Sequence, residues 1–121
     1  MKKIIFTEDA PFPLGPYSQA VLVGDMLYCS GQIAVDALDK DVAAQTQKVC
    51  ENIIAVLKAA DMQLSDVVKT TCFLAEMSDF GAFNAVYEQH FAHKPARSTV
   101  AAKELPKSAL VEIEVIAVKS A

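Results

Sequence analysis

Hydrophobic and polar positions alternate most regularly near the end of the chain. Over residues 110–118, LVEIEVIAV, a strand places Val111, Ile113, Val115 and Ala117 on one face. Leu110, Glu112, Glu114, Ile116 and Val118 fall on the other. The first is a core face. The second has apolar residues at both ends of a carboxylate pair, so either the glutamates are solvated on a half-buried sheet or another molecule covers them.

The period changes upstream. Over residues 41–60, Thr46, Val49, Cys50, Ile53, Val56, Leu57 and Ala60 recur at spacings of three and four, which predicts an amphipathic helix. Residues 67–75 are rich in β-branched side chains and predict a central strand. Ser78 or Asp79 is the expected N-cap of a second helix, whose packing stripe is Phe80, Phe83, Tyr87 and Phe91. Asn84 lies on the same side and requires a hydrogen-bonding partner there. This helix must stop before Pro95.

Residues 20–23 and 26–33 read as a hairpin turning at Gly24-Asp25, residues 98–102 as a strand and residues 105–108 as a turn. The opening loop APFPLGPYS, with three prolines, is stiff. If residues 3–7 also pair, the order is β-β-β-α-β-α-β-β, an α+β fold. Both helices can then cover one sheet face and leave the mixed face for another molecule.

Composition narrows the function. A chain of 121 residues without an internal linker is expected to form a single domain over residues 1–121. With 53% hydrophobic residues and a mean hydropathy of +0.28, so small a domain is expected to self-associate. No apolar run is long enough to cross a bilayer, and MKKIIF is followed at once by Thr7, Glu8 and Asp9, which leaves no signal-peptide core. The expected location is cytoplasmic, with no membrane partner. A net charge of −4 and a pI near 5.0 weigh against nucleic acid as a partner. Lys94, Arg97, Lys103 and Lys107 cluster before the last strand, enough for a small anion.

The three cysteines, Cys29, Cys50 and Cys72, have neither disulfide nor zinc spacing and read as reduced, small apolar residues. His90 and His93 have a spacing that could hold a metal, but no third ligand accompanies them, and no metal is expected. There is no nucleophile elbow, phosphate loop or H-E-x-x-H motif. Arg97, Glu112, Tyr17, Ser30 and Asn84 remain. An arginine grips a carboxylate through two parallel hydrogen bonds, a half-covered glutamate can hold and polarise water, and a tyrosine can wall a flat substrate. Together they suit a small 2-imino or 2-oxo acid, an assignment that composition alone does not give.

Four separated segments, GPYSQA (15–20), SGQI (30–33), PARS (95–98) and ELPKSALVEIEVIA (104–117), closely resemble the Rid family, also called YjgF-like. The arginine of PARS and the glutamate of the final strand point within it to the archetypal RidA subgroup. The resemblance implies a chorismate-mutase-like fold assembled as a homotrimer, with sheets facing inward and a ligand cleft between neighbours. It implies that Glu112 faces the cleft beside an anion-binding Arg97. The backbone amides of Gly31 and Thr99 would help hold the ligand, and Tyr17, Ser30 and Asn84 would line it.

The implied reaction is cofactor-free hydrolysis of 2-aminoacrylate and related 2-imino acids to 2-oxo acids and ammonia. The substrates are released by pyridoxal-phosphate-dependent serine and threonine dehydratases, a functional link rather than a stable complex. Two other readings stay open: a non-catalytic binder of 2-oxo acids, and RNA cleavage or translation inhibition, which the acidic balance disfavours. The chain departs from the family pattern in its short segment over residues 34–45, in Thr99 where cysteine is common, and in Ser108 at the turn.

Overall fold

A computed structural model describes residues 1–120. The alternation at the end of the chain becomes β6 (Val111–Val118), with Val111, Ile113, Val115 and Ala117 all at most 2% exposed. The other strands are β1 (Lys2–Ile5), β2 (Ala20–Val23), β3 (Met26–Cys29), β4 (Val67–Leu74) and β5 (Ala96–Ala101). Two helices, α1 (Val42–Ala59) and α2 (Phe80–His90), complete the predicted order.

The strands form one six-stranded sheet in the order β1-β2-β3-β6-β4-β5. All neighbours are antiparallel except β4 and β5, which run parallel and are joined by the α2 crossover. The last strand therefore sits at the middle of the sheet, between β3 and β4.

Every apolar position expected on the packing face of the first helix, from Thr46 to Ala60, is buried. Its N-terminus is closed by Asp41, whose carboxylate accepts the Ala44 N–H at 2.9 Å. In α2 Phe83 and Tyr87 are buried and Phe80 is half-buried, and Phe91, which follows the helix directly, is buried too. The expected side-chain cap of this helix does not form. Asp79 precedes it in a 3₁₀ turn (Met77–Asp79) with helical dihedrals, φ −84° and ψ −1°, instead of the extended backbone that lets a cap reach forward. Gly24, at φ 60°, makes the two-residue hairpin turn between β2 and β3. Regular pairing of β3 stops at Cys29, short of the predicted residue 33; beyond it only Gln32 bridges to Ile113.

The sheet has two unlike faces. Leu27, Thr70, Cys72, Leu74, Val111, Ile113 and Val115 form the buried, helix-covered face. Register places Glu112, Glu114 and Ile116 on the opposite face with Phe73, Thr71 and Lys69 of β4 and Tyr28 of β3. On this open face Ile4 is 66% exposed and Tyr28 is 47% exposed, so an apolar surface with a carboxylate pair is left uncovered by the chain itself. A bulge leaves Val68 outside the β4–β6 register, which is why Val67 and Thr70 can both be buried.

Candidate functional site

The predicted residues separate into two groups on opposite sides of the sheet. The first surrounds Glu112. A cavity of ≈ 220 Å³ on the open face is lined by Leu14, Tyr17, Gly31, Ile33, Pro106 and Glu112. The mostly apolar lining half-buries the Glu112 carboxyl and raises its pKa above the usual glutamate value, and neighbouring Glu114 raises it further. No cation lies within salt-bridge distance of Glu112 among the described residues.

Tyr17 is held by its own loop: its N–H donates to the Gly15 carbonyl at 2.9 Å, and its hydroxyl accepts the Leu14 N–H at 3.0 Å. Its ring stays 47% exposed, available as a wall. Ser30 is tied down from both ends, its hydroxyl donating to the Ser18 carbonyl at 2.6 Å and its N–H to the Gln19 carbonyl at 2.9 Å. With that proton already donated, Ser30 offers no free donor and instead fixes the backbone beside Gly31.

Gln19 is a positioning residue that sequence reasoning missed. Its side chain, 1% exposed, accepts the Thr7 N–H at 2.7 Å and donates to the carbonyls of Thr7 at 3.0 Å and Pro11 at 2.9 Å. A fully buried glutamine thus fastens the proline-rich loop that carries Tyr17. The one available signal was a long polar residue directly before the apolar strand β2. Gln45 of α1 does similar work: it donates to the Lys40 carbonyl at 3.0 Å and accepts the Leu110 N–H at 2.9 Å, tying the short 34–45 segment to the start of β6.

The second group surrounds Arg97. Register pairs Arg97 with Thr70, and Thr70 is buried on the helix side, whereas Glu112 pairs with Phe73 on the open side. Strand alternation therefore sends the two charged groups to opposite faces. The Arg97 guanidinium donates to Asn84 Oδ1 at 2.8 Å, which supplies the partner that Asn84 required. Its central carbon lies 4.8, 5.5 and 5.8 Å from the ring centroids of Tyr87, Phe80 and Phe83, a cation–π seat built from the helix stripe. Tyr87 is held in turn by a 2.7 Å hydrogen bond between its hydroxyl and that of Thr70.

Arg97 forms no ion pair among the described residues. Beside it opens a cavity of ≈ 380 Å³ lined by Asn84, Tyr87, Glu88, Phe91, Lys94, Pro95 and Arg97. Thr99, two residues along β5 and on the same face, has a buried hydroxyl without any hydrogen-bond partner.

The histidines and cysteines line neither of these two cavities. His90 Nε2 bonds Gln47 Oε1 and His93 Nε2 bonds the Val67 carbonyl, each at 2.9 Å, and no cluster able to hold a metal occurs among the described residues. Cys29, Cys50 and Cys72 are free and buried, and burial pushes their thiols up to about 12, 12 and 11 respectively. No described helix is long and apolar enough to cross a membrane.

The fold, two helices against one mixed six-stranded sheet, defines a class of small α+β proteins, and comparison with known proteins agrees. A family model described as Endoribonuclease L-PSP matches residues 7–119. A RutC family protein of Saccharolobus solfataricus is 53% identical, the alignment covering 99% of this chain and 100% of the relative. The 2-iminobutanoate/2-iminopropanoate deaminase of Salmonella typhimurium is 46% identical over 98% of this chain and 99% of its own. Among solved structures, a protein of the conserved Rid family from Yersinia pestis superposes with a TM-score of 0.93 at 43% identity, covering 98% of this chain and 100% of that one. The chain belongs to the Rid, or YjgF-like, family.

Proposed function

We propose that the protein hydrolyses reactive 2-enamine and 2-imino acids, such as 2-aminoacrylate and 2-iminobutanoate, to 2-oxo acids and ammonia. The site forms where the Arg97 group of one chain meets the Glu112 group of its neighbour in a homotrimer. The observation that carries this reading is the separation itself: an unpaired guanidinium and an unpaired carboxylate, each beside its own open cavity, on opposite faces of one sheet. In this reading a second copy covers the open apolar face and supplies, from its own Arg97, the cation that the Glu112 cavity lacks.

In the cleft, Arg97 anchors the substrate carboxylate with two parallel hydrogen bonds. The enamine tautomerises to the imine, which binds protonated at nitrogen. Glu112 orients water towards C2 and takes its proton as the new C–O bond forms. Glu112 returns that proton to the carbinolamine nitrogen, the C–N bond breaks to release ammonia, and the hydroxyl proton passes to the departing ammonia as ammonium, leaving the 2-oxo acid. The raised pKa of Glu112 suits a group that must accept and return a proton. Pyridoxal-phosphate-dependent dehydratases are the proposed source of substrate. A cytoplasmic location is part of the same proposal.

Purified protein added to an amino-acid oxidase reaction that generates imino acids should shorten the imine's lifetime. Binding of 2-oxobutanoate with an unchanged lifetime would instead establish a non-catalytic binder. Light scattering should give three times the mass of a chain of 13.0 kDa. The acidic chain is expected to leave RNA intact under the same conditions.

A further inference from the structure

We infer that Gly31 is a positioning residue, glycine so that the Glu112 carboxylate can lie against the backbone of the 30–33 segment. The four glycines differ in what a side chain would meet. Gly24 has a positive φ, Gly81 faces open space, and a methyl on Gly15 would touch the Tyr17 ring at an ordinary 3.7 Å. At Gly31 the backbone has no positive φ to demand glycine. A β-carbon there would overlap a Glu112 carboxylate oxygen and lie 2.9 Å from the carboxyl carbon and 3.0 Å from Cγ.

The backbone cannot retreat from that overlap. On one side Gln32 and Ile113 exchange both main-chain hydrogen bonds, at 2.9 and 3.2 Å, which ties the segment to the residue next to Glu112. On the other, both bonds of Ser30 anchor it to residues 18 and 19. The flexible partner is the Glu112 side chain, so a methyl at position 31 displaces the carboxylate from its cavity. This role is separate from any ligand contact by the Gly31 N–H, because alanine keeps that donor.

The consequence for turnover rests on the proposed hydrolytic reading; the consequence for the carboxylate does not. Carbon-13 NMR of the Glu112 carboxyl, assigned by its loss in Glu112→Ala, reports its environment directly. In Gly31→Ala its titration should move down towards the ordinary glutamate range, because the group leaves its apolar lining. The charged residues that β1, β4 and β6 place on that face, Lys2, Lys69 and Glu114, are unchanged by the substitution. Imine hydrolysis should fall about 100-fold in kcat with KM nearly held, as expected for a misplaced reacting group.

On a Glu112→Ala background, with no carboxylate left to displace, adding Gly31→Ala should lower neither the rate nor the melting temperature further. A carboxyl that titrates as in the wild type, or equal losses on both backgrounds, would overturn the inference. A shifted titration with unchanged turnover would uphold the placement and remove Glu112 from the proposed mechanism.

Discussion

Replacing Gln19 by alanine tests how the proline-rich loop that carries Tyr17 is held. One side chain supplies an acceptor to the Thr7 N–H and donors to the Thr7 and Pro11 carbonyls, with bonds of 2.7, 3.0 and 2.9 Å. Each buried polar group left without a partner costs about 1–3 kcal/mol. Thr7 and Pro11 are only half-buried, so water recovers part of that loss.

The expected net cost is roughly 3 kcal/mol, the lower part of the range for the three bonds together. For a domain of this size each kcal/mol lowers the melting temperature by about 4 °C, giving a drop of about 12 °C at fixed protein concentration. The loss should be local first: amide exchange should speed up over residues 7–17 before it does in β6, and KM for the imine should rise as the Tyr17 wall loosens. Gln19→Glu sharpens the test, because a carboxylate keeps the acceptor for Thr7 but offers no donor to the carbonyls, so at neutral pH it should be at least as damaging as alanine. A Gln19→Ala protein that melts within 2 °C of wild type, with unchanged exchange over residues 7–17, would refute the clamp.

Arg97→Ala should raise KM for 2-iminopropanoate by at least 100-fold, the equivalent of losing about 3 kcal/mol of charge-assisted hydrogen bonding, whereas Glu112→Gln should mainly lower kcat; wild-type kinetics in both variants would exclude the scheme. The kcat profile should fall on the acid side with an apparent pKa above the ordinary glutamate value, because burial raises that of Glu112 and the group acts ionised. Asp66 behaves oppositely: the Ser120 hydroxyl at 2.6 Å and the Gln63 N–H at 2.9 Å hold its carboxyl below the usual range. Its contribution to stability is therefore present above the unfolded-state pKa and lost as pH falls through the folded one, so Asp66→Asn should flatten the acid limb of a denaturation-versus-pH curve. A thiol reagent at pH 8 should label none of the three cysteines in the native protein and all of them in guanidinium, since burial raises their thiols to about 11 or 12.

Much of the molecule was determined by local pattern. Spacings of three and four along residues 41–60 and alternation along residues 110–118 follow from the geometry of a single helix or strand, so sequence sufficed to define α1, the buried face of β6 and the unmatched carboxylates opposite it. The requirement of Asn84 for a partner was equally legible, because a polar side chain in an aromatic stripe must be satisfied. Tertiary structure decided everything that depends on which distant residues become neighbours. Pairing Arg97 with Thr70 and Glu112 with Phe73 sends the two charges to opposite faces, and the Gln32–Ile113 bridge presses Gly31 against Glu112. Gln19 reaches back across its loop to Thr7 in the same way. Such contacts join positions 12 to about 80 residues apart, and no periodicity within one element records them, because their register is set by packing between elements.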